Sequence, residues 1–242
     1  MRLVVLSDTH GFHRGMPELP AGDVLIHCGD WSRDCGSRGD LLRFRDWMKE
    51  QPHAEKLVVP GNHDQGAEDA GGMLRDIFWE AGVVCLDGDW ATEMEGVHFG
   101  GGPWMPPFVP ARDRRWAFQA ESEERARLWK AVPDCDVLLT HCPPHGILDA
   151  AQSGKNFGCE ALRDRVLGMQ PRLHLFGHVH EKRGITTIGP TSFINACCNS
   201  RMTFARQPDR TSVSLTVWDP VLIDLHPDQD PVVIFPEKRT VF

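Results

Sequence analysis

Residues 57–64 read Leu-Val-Val-Pro-Gly-Asn-His-Asp: three aliphatic residues that run into a Pro-Gly turn, then an amide, an imidazole and a carboxylate. Apolar runs this short, rich in Val, Ile and Leu and bounded by Gly or Pro, read as buried strands rather than helices. The same construction recurs on both sides of it. Leu3–Leu6 runs into Ser7-Asp8-Thr9-His10, and Val24–Ile26 into His27-Cys28-Gly29-Asp30. Val137–Leu139 runs into Thr140-His141-Cys142-Pro143-Pro144, and Leu173–Phe176 into Gly177-His178-Val179-His180. Each polar cluster begins where a strand stops.

Between these runs lie segments with helical periodicity: Asp40–Gln51, with Leu41, Leu42, Phe44, Trp47 and Met48 among charges; Glu121–Lys130; and Gly158–Met169, with Leu162, Val166 and Leu167. Strands alternating with helices indicate a layered α/β architecture. The last part of the chain differs. Gly184–Ala196, Ser212–Leu225 and Val232–Phe235 read as strands without a helical pattern, expected to be antiparallel and to extend or face the first sheet. The expectation is one domain over residues 1–242, two packed sheets flanked by helices, with residues 201–242 completing the second sheet.

A chain of 242 residues is long enough to bury a sizeable core. Its 26 Lys and Arg against 34 Asp and Glu leave a net charge of −8, which argues against coating a nucleic-acid backbone. No apolar run approaches the roughly 18 to 20 residues that span a bilayer. Only four consecutive apolar residues follow Arg2, too few for an export signal, so a cytoplasmic protein is expected. The eight cysteines contain no Cys-x-x-Cys pair and read as reduced thiols, with Cys28, Cys85 and Cys142 acting as small hydrophobes. The adjacent Cys197 and Cys198 are either core residues or a redox-sensitive pair.

If the five strands run parallel in one sheet, their C-terminal ends share an edge, the place where α/β sheets bind ligands. Asp8, His10, Asp30, Asn62, His63, His141, His178 and His180 would then converge. Carboxylates, an amide and several imidazoles, with no thiolate, suit Mn²⁺, Fe, Zn²⁺ or Ni²⁺ and are too rich in imidazole for Ca²⁺ or a lone Mg²⁺. With His63 set apart as an additional imidazole, the seven other donors exceed what one ion takes with positions left open, so two ions about 3.5–4 Å apart account for them better. Of the 12 histidines, His27, His98, His174 and His226 have no motif partner and read as structural. His13, His53 and His145 fall in loops, and His145 is near enough to His141 to line a pocket.

In order, Asp8-Thr9-His10, Gly29-Asp30, Gly61-Asn62-His63-Asp64, His141 and Gly177-His178-Val179-His180 resemble the calcineurin-like metallophosphoesterase superfamily over about residues 3–200. Leu139–Gly146, Phe99–Trp104 and Phe193-Ile194-Asn195-Ala196 are similar to its metallophosphoesterase-domain-containing (MPPED-like) phosphodiesterase subgroup. The resemblance implies a four-layer αββα sandwich. It also implies that Asp8, His10 and His180 hold one metal, Asn62, His141 and His178 the other, and that Asp30 bridges. His63 would be a non-ligand histidine that protonates the leaving oxygen, oriented by Asp64. The implied activity is metal-activated hydroxide attack on small phosphodiesters, cyclic nucleotides (2′,3′ or 3′,5′) foremost, with Mn²⁺ the first choice of metal.

The substrate is less legible. Trp31 and Trp104 are candidates to stack on a nucleobase, and Arg33, Arg112, Arg114, Arg115 and Lys155 to contact phosphate or ribose. A phosphomonoesterase or protein phosphatase would share the metal core, and an idle binding module would lack a ligand, which none of the motifs does. A nuclease fits the acidic charge poorly.

Overall fold

Strands β1 (Arg2–Leu6), β2 (Val24–His27), β3 (Glu55–Val58) and β4 (Val84–Cys85) alternate with helices α1 (Arg38–Glu50), α2 (Gln65–Ala70) and α3 (Leu74–Trp79). β5 (Ala91–Met94) and β6 (Val97–Gly102) pair antiparallel, after which α4 (Ser122–Ala131), β7 (Val137–Thr140), α5 (Glu160–Met169) and β8 (Leu173–Phe176) resume the alternation. The rest is strand: β9 (Gly184–Ile188), β10 (Thr191–Asn195), β11 (Ala205–Arg206), β12 (Val213–Trp218), β13 (Val221–Asp224), β14 (Val232–Ile234) and β15 (Lys238–Val241). The computed structural model describes residues 1–107, 116–199, 205–206, 213–236 and 238–241, through the backbone alone at 205–206, 213–217 and 238–241.

Two mixed six-stranded sheets organise these elements, in the orders β14-β13-β1-β2-β3-β4 and β5-β6-β7-β8-β10-β9. β1 to β4 run parallel in the first, and β6, β7, β8 and β10 run parallel in the second. β11, β12 and β15 form a separate three-stranded sheet.

Alternate residues of a strand face opposite sides, which explains why both sets are apolar. In β1, Leu3 and Val5 enter a core between the sheets with Ile26, Leu57, Val137, Leu139, Leu173 and Ile194. Val4 and Leu6 face the other way, against Leu41, Phe44 and Met48 of α1 and Leu74 and Phe78 of α3. On the far side of the second sheet, Leu138, Phe176 and Phe193 meet Trp129 of α4 and Leu162 and Val166 of α5. Three cores separated by two sheets make the four-layer αββα sandwich. Each fully buried aliphatic side chain contributes about 1.5–3 kcal/mol to holding it. No helix among the described residues is long and apolar enough to cross a membrane.

Three expectations need correction. The five strand runs do not share one sheet: β1, β2 and β3 belong to the first and β7 and β8 to the second. The tail is not uniformly antiparallel, since β10 pairs parallel with β8, whereas β9, β13 and β14 each pair antiparallel with a neighbour. Finally, β13 and β14 extend the first sheet rather than completing the second. β13 pairs with β1 (Leu3 opposite Ile223), which places Val221 and Ile223 in the core between the sheets. A one-residue shift of register would have turned them away from that core. Helix α1 begins two residues before the expected Asp40, because Ser37 caps it: the Asp40 carboxylate accepts the Ser37 N–H at 2.8 Å and the Ser37 hydroxyl accepts the Asp40 N–H.

Candidate metal centre

Although they come from two sheets, the strand ends meet. Ser7, just past β1, bridges in parallel fashion to Cys197, just past β10, so the C-terminal edges of the two sheets abut. The polar clusters leave these edges in tight loops. Asp8, His10, Asp30 and His178 all have left-handed backbone, with φ of 59°, 43°, 56° and 69°. For residues with a Cβ such conformations cost of order 1–3 kcal/mol each and collect at functional sites. Gly29 has φ 90°, and a Cβ there would lie 2.7 Å from His141 Nδ1 and 2.8 Å from the Gly61 amide. Gly61 in turn has the Asp30 carboxylate packed where a Cβ would stand. The glycines of these two motifs let the loops carrying Asp30 and Asn62 touch.

The donor atoms fall into adjoining groups, each within 4.8 Å: Asp8, His10 and His180; Asp30, His141 and His178; and His10, Asp30 and His63. His180 Nε2 lies 3.2 Å from Asp8 Oδ1 and 3.2 Å from His10 Nε2. His141 Nε2 lies 3.2 Å from Asp30 Oδ2 and 3.1 Å from Asn62 Oδ1. The backbone N–H of His178 donates to the Asp8 carboxylate at 3.1 Å, and its ring packs edge-on to His141, centroids 5.1 Å apart.

Hydrogen bonds behind the site set the tautomers. His10 Nδ1 lies 3.2 Å from the Ser32 carbonyl and His141 Nδ1 2.8 Å from the Cys28 carbonyl. A carbonyl only accepts, so each Nδ1 carries the proton and each Nε2 turns its lone pair into the site when the ring is neutral. Burial pushes His10 down to about 4 and His178 down to about 3, which keeps both neutral and able to ligate. Burial also opposes charge on His141, but the Coulomb pull of Asp30, its hydrogen bond and Asp8 override it and raise His141 to about 9. Asp30 is held well below the usual carboxylate range: burial works against this, and His141 and His63 outweigh it. Two buried carboxylates among imidazoles call for positive charge.

Two histidines read as structural brace this centre from below. His27 Nδ1 accepts the Gly29 N–H at 3.2 Å, so its Nε2–H donates to Thr9 Oγ1 at 3.0 Å, between Asp8 and His10. In the second sheet Thr140 Oγ1 donates to the Cys142 carbonyl at 2.7 Å and therefore accepts from His174 Nε2 at 2.9 Å, directly before His141. Asn195 closes the last loop, donating to the Val179 carbonyl at 2.9 Å and accepting the Cys197 N–H at 3.0 Å.

Asp64 does not orient His63. Its carboxylate is fully buried and accepts three backbone amides: Asp30 N–H at 2.8 Å, Ser32 N–H at 2.9 Å and Gly61 N–H at 2.8 Å. It ties the loop after β2 to the loop after β3, while His63 Nδ1 is buried with no hydrogen-bond partner among the described residues. Asp64→Ala strands those amides, and a buried unsatisfied donor costs about 1–3 kcal/mol. The expected result is a loss of at least about 3 kcal/mol of stability in chemical denaturation. An unchanged unfolding midpoint with reduced turnover would restore Asp64 to the imidazole.

Neither tryptophan singled out from the sequence stands ready for a base. Trp31 is 1% exposed and lies flat on Phe44, centroids 4.4 Å apart and planes 4° apart, inside the core under α1. Trp104 packs edge-on to Trp129 and covers Gly88 and Gly102. Among the described residues, Phe157 lies 6.1 Å from the His178 ring and Trp116 4.4 Å from the His63 ring, beside the donor atoms. Nothing local in the sequence distinguishes these two. Lys155 lies over Phe157 at 5.0 Å and Arg33 over Phe12 at 4.7 Å, whereas Arg112, Arg114 and Arg115 fall outside the described residues. His145 belongs to none of the donor groups; its Nδ1 lies 3.7 Å from Asp149. Cys197 and Cys198 are buried, and burial pushes both thiols up, Cys198 to about 11, which is the packed reading rather than the reactive one.

Comparison with known proteins agrees with this geometry. The UPF0046 protein K07C11.7 of Caenorhabditis elegans is 37% identical over 217 residues, spanning 82% of this chain and 70% of its own. Human Metallophosphoesterase domain-containing protein 1 is 31% identical over 249 residues, 93% of this chain and 71% of its own. The crystal structure of TT1561 of Thermus thermophilus shares the fold, with a TM-score of 0.54 at 14% identity, covering 90% of this chain and 93% of that one. The family model described as calcineurin-like phosphoesterase matches residues 1–182, the part that carries every candidate ligand, and the chain belongs to that family.

Proposed function

We propose that the chain is a dinuclear metal-dependent phosphodiesterase that hydrolyses small phosphodiesters, cyclic nucleotides (2′,3′ or 3′,5′) foremost. The observation that carries this reading is Asp30: it belongs to two of the three donor groups and so joins the Asp8–His10–His180 set to the His141–His178 set. Asp8, His10 and His180 would hold one ion, Asn62, His141 and His178 the other, with Asp30 between them. The donors fit such a pair. They combine two buried carboxylates, four imidazoles and an amide oxygen with no thiolate, a set that accepts Mn²⁺, Fe, Zn²⁺ or Ni²⁺, with Mn²⁺ our first choice. When bound, the two cations neutralise the phosphoryl oxygens and lower the pKa of a water to near neutrality.

The chain's own groups do the rest. His63 is 19% exposed at the rim, its Nε2 3.8 Å from Asp30 Oδ2, where it donates a proton to the departing alkoxide. Phe157 offers an apolar ring beside the donor groups, which suits a nucleoside better than a bare phosphate. The net charge of −8 favours a small substrate over a long nucleic acid, and the eight free thiols suit a reducing, cytoplasmic setting.

The test is a hydrolysis panel on Mn²⁺-reconstituted protein: cyclic mononucleotides, nucleoside monophosphates, bis-p-nitrophenyl phosphate and p-nitrophenyl phosphate. The expected order puts diesters above monoesters in kcat/KM. A clear preference for the monoesters assigns a phosphomonoesterase instead, and no hydrolysis of either class by the metal-loaded protein leaves only a binding module.

A further inference from the structure

We infer that Trp116 is the positioning residue of the His63 imidazole, taking the place that a carboxylate would otherwise fill. The inference rests on the proposed role of His63 as proton donor.

Among the described residues, the His63 ring has no hydrogen bond to orient it. Its Nδ1 is buried without a partner, its Nε2 is 3.8 Å from Asp30, and Asp64 is committed to backbone amides. Two other rings fix it instead. His10 meets it edge-on, centroids 4.7 Å apart at 86°, and Trp116 meets it at 4.4 Å and 67°. Edge-to-face pairs at these separations are favourable geometries. A ring held on two sides retains one useful aim at lower entropic cost than a free one.

Trp116 is itself anchored to the site. The Ala117 N–H donates to the Asn62 carbonyl at 3.0 Å, so the tryptophan is tied to the loop that carries His63. The Phe118 N–H donates to the Glu68 carboxylate of α2 at 2.8 Å, and Met105 exchanges backbone hydrogen bonds with Phe118 and Ala120. Trp116 is half-buried, and its ring lies against the His63 imidazole at the rim of the donor groups.

The experiment compares Trp116→Ala and Trp116→Phe, each alone and combined with His63→Ala, on Mn²⁺-loaded protein. Two substrates separate proton donation from everything else: bis-p-nitrophenyl phosphate, whose leaving phenolate needs no proton, and a 2′,3′-cyclic nucleotide, whose leaving alkoxide does. Misplacing a reacting group by about 1 Å costs up to about 10²-fold. Trp116→Ala is therefore expected to lower kcat on the cyclic nucleotide by about 10- to 100-fold, with a small effect on the phenolate ester, rescue by Phe, and no further loss when His63 is already Ala. In the metal-free protein, the His63 ring proton resonances should shift in Trp116→Ala and return towards native in Trp116→Phe. Equal losses on both substrates, additivity with His63→Ala, or a change confined to KM would overturn the positioning role. If His63→Ala itself spares the cyclic nucleotide, the proton-donor reading fails, and unmoved His63 resonances in Trp116→Ala reject the ring contact independently.

Discussion

Asp30→Asn is expected to empty both halves of the metal centre and to lower turnover by about 10³-fold, equivalent to about 4 kcal/mol of transition-state stabilisation. The substitution keeps shape and removes charge. Asp30 is 2% exposed, and its Oδ1 accepts the His63 N–H at 2.7 Å, a bond that an amide oxygen can still accept. Its Oδ2 faces His141 Nε2 at 3.2 Å, and an amide there no longer offers a second anionic oxygen to share between two ions. With Asp30 neutral, Asp8 is the one carboxylate left in the donor groups among the described residues, too little charge to hold two divalent ions beside buried imidazoles. Elemental analysis after metal loading, with initial rates on the preferred diester, checks this. Two ions retained with near-native rates would remove Asp30 from the bridging position.

His63→Ala should act differently. Turnover is expected to fall by about 10²- to 10⁴-fold, the usual range for losing a general acid, while metal content stays near two ions per chain. The distinction matters because His63 also lies within a donor group with His10 and Asp30. Its Nε2 is farther from Asp30 Oδ2, at 3.8 Å, than the 3.2 Å of His141 Nε2, and its ring is held by aromatic edges. A general acid must be free to receive and release a proton, whereas a ligand must keep its lone pair on the ion. Loss of metal in His63→Ala would make it a ligand and leave the proton donor unassigned.

Much of this site was legible before any coordinates. Asp8, His10, Asp30, Asn62, His141, His178 and His180 each follow an apolar run, and the structure brings them together. Trp31 shows the opposite case. A tryptophan next to a candidate ligand suggests stacking on a base, but the residue after Asp30 turns back into the core over Phe44, a direction that depends on α1 being packed there. Asp64, which the resemblance implies would orient His63, is another case where spatial neighbours decide. Its neighbour in sequence is an imidazole, but amides from residues 34 and 32 positions away reach its carboxylate first.

Although it did not mark β4, β5 or β6, the sequence by itself determined that the five apolar runs before the polar clusters are buried strands and which side chains stand at their ends. Each of these depends on residue type and on a period of two or 3.6 residues along a short stretch of chain. Only the tertiary structure decided that the strand ends come from two sheets, that β13 lies beside β1, and that the Trp116 ring packs against His63 while Asp64 accepts backbone amides. Those facts concern groups far apart in the chain. Hydrogen bonds and ring contacts select partners by distance in space, and a one-dimensional pattern does not contain that distance.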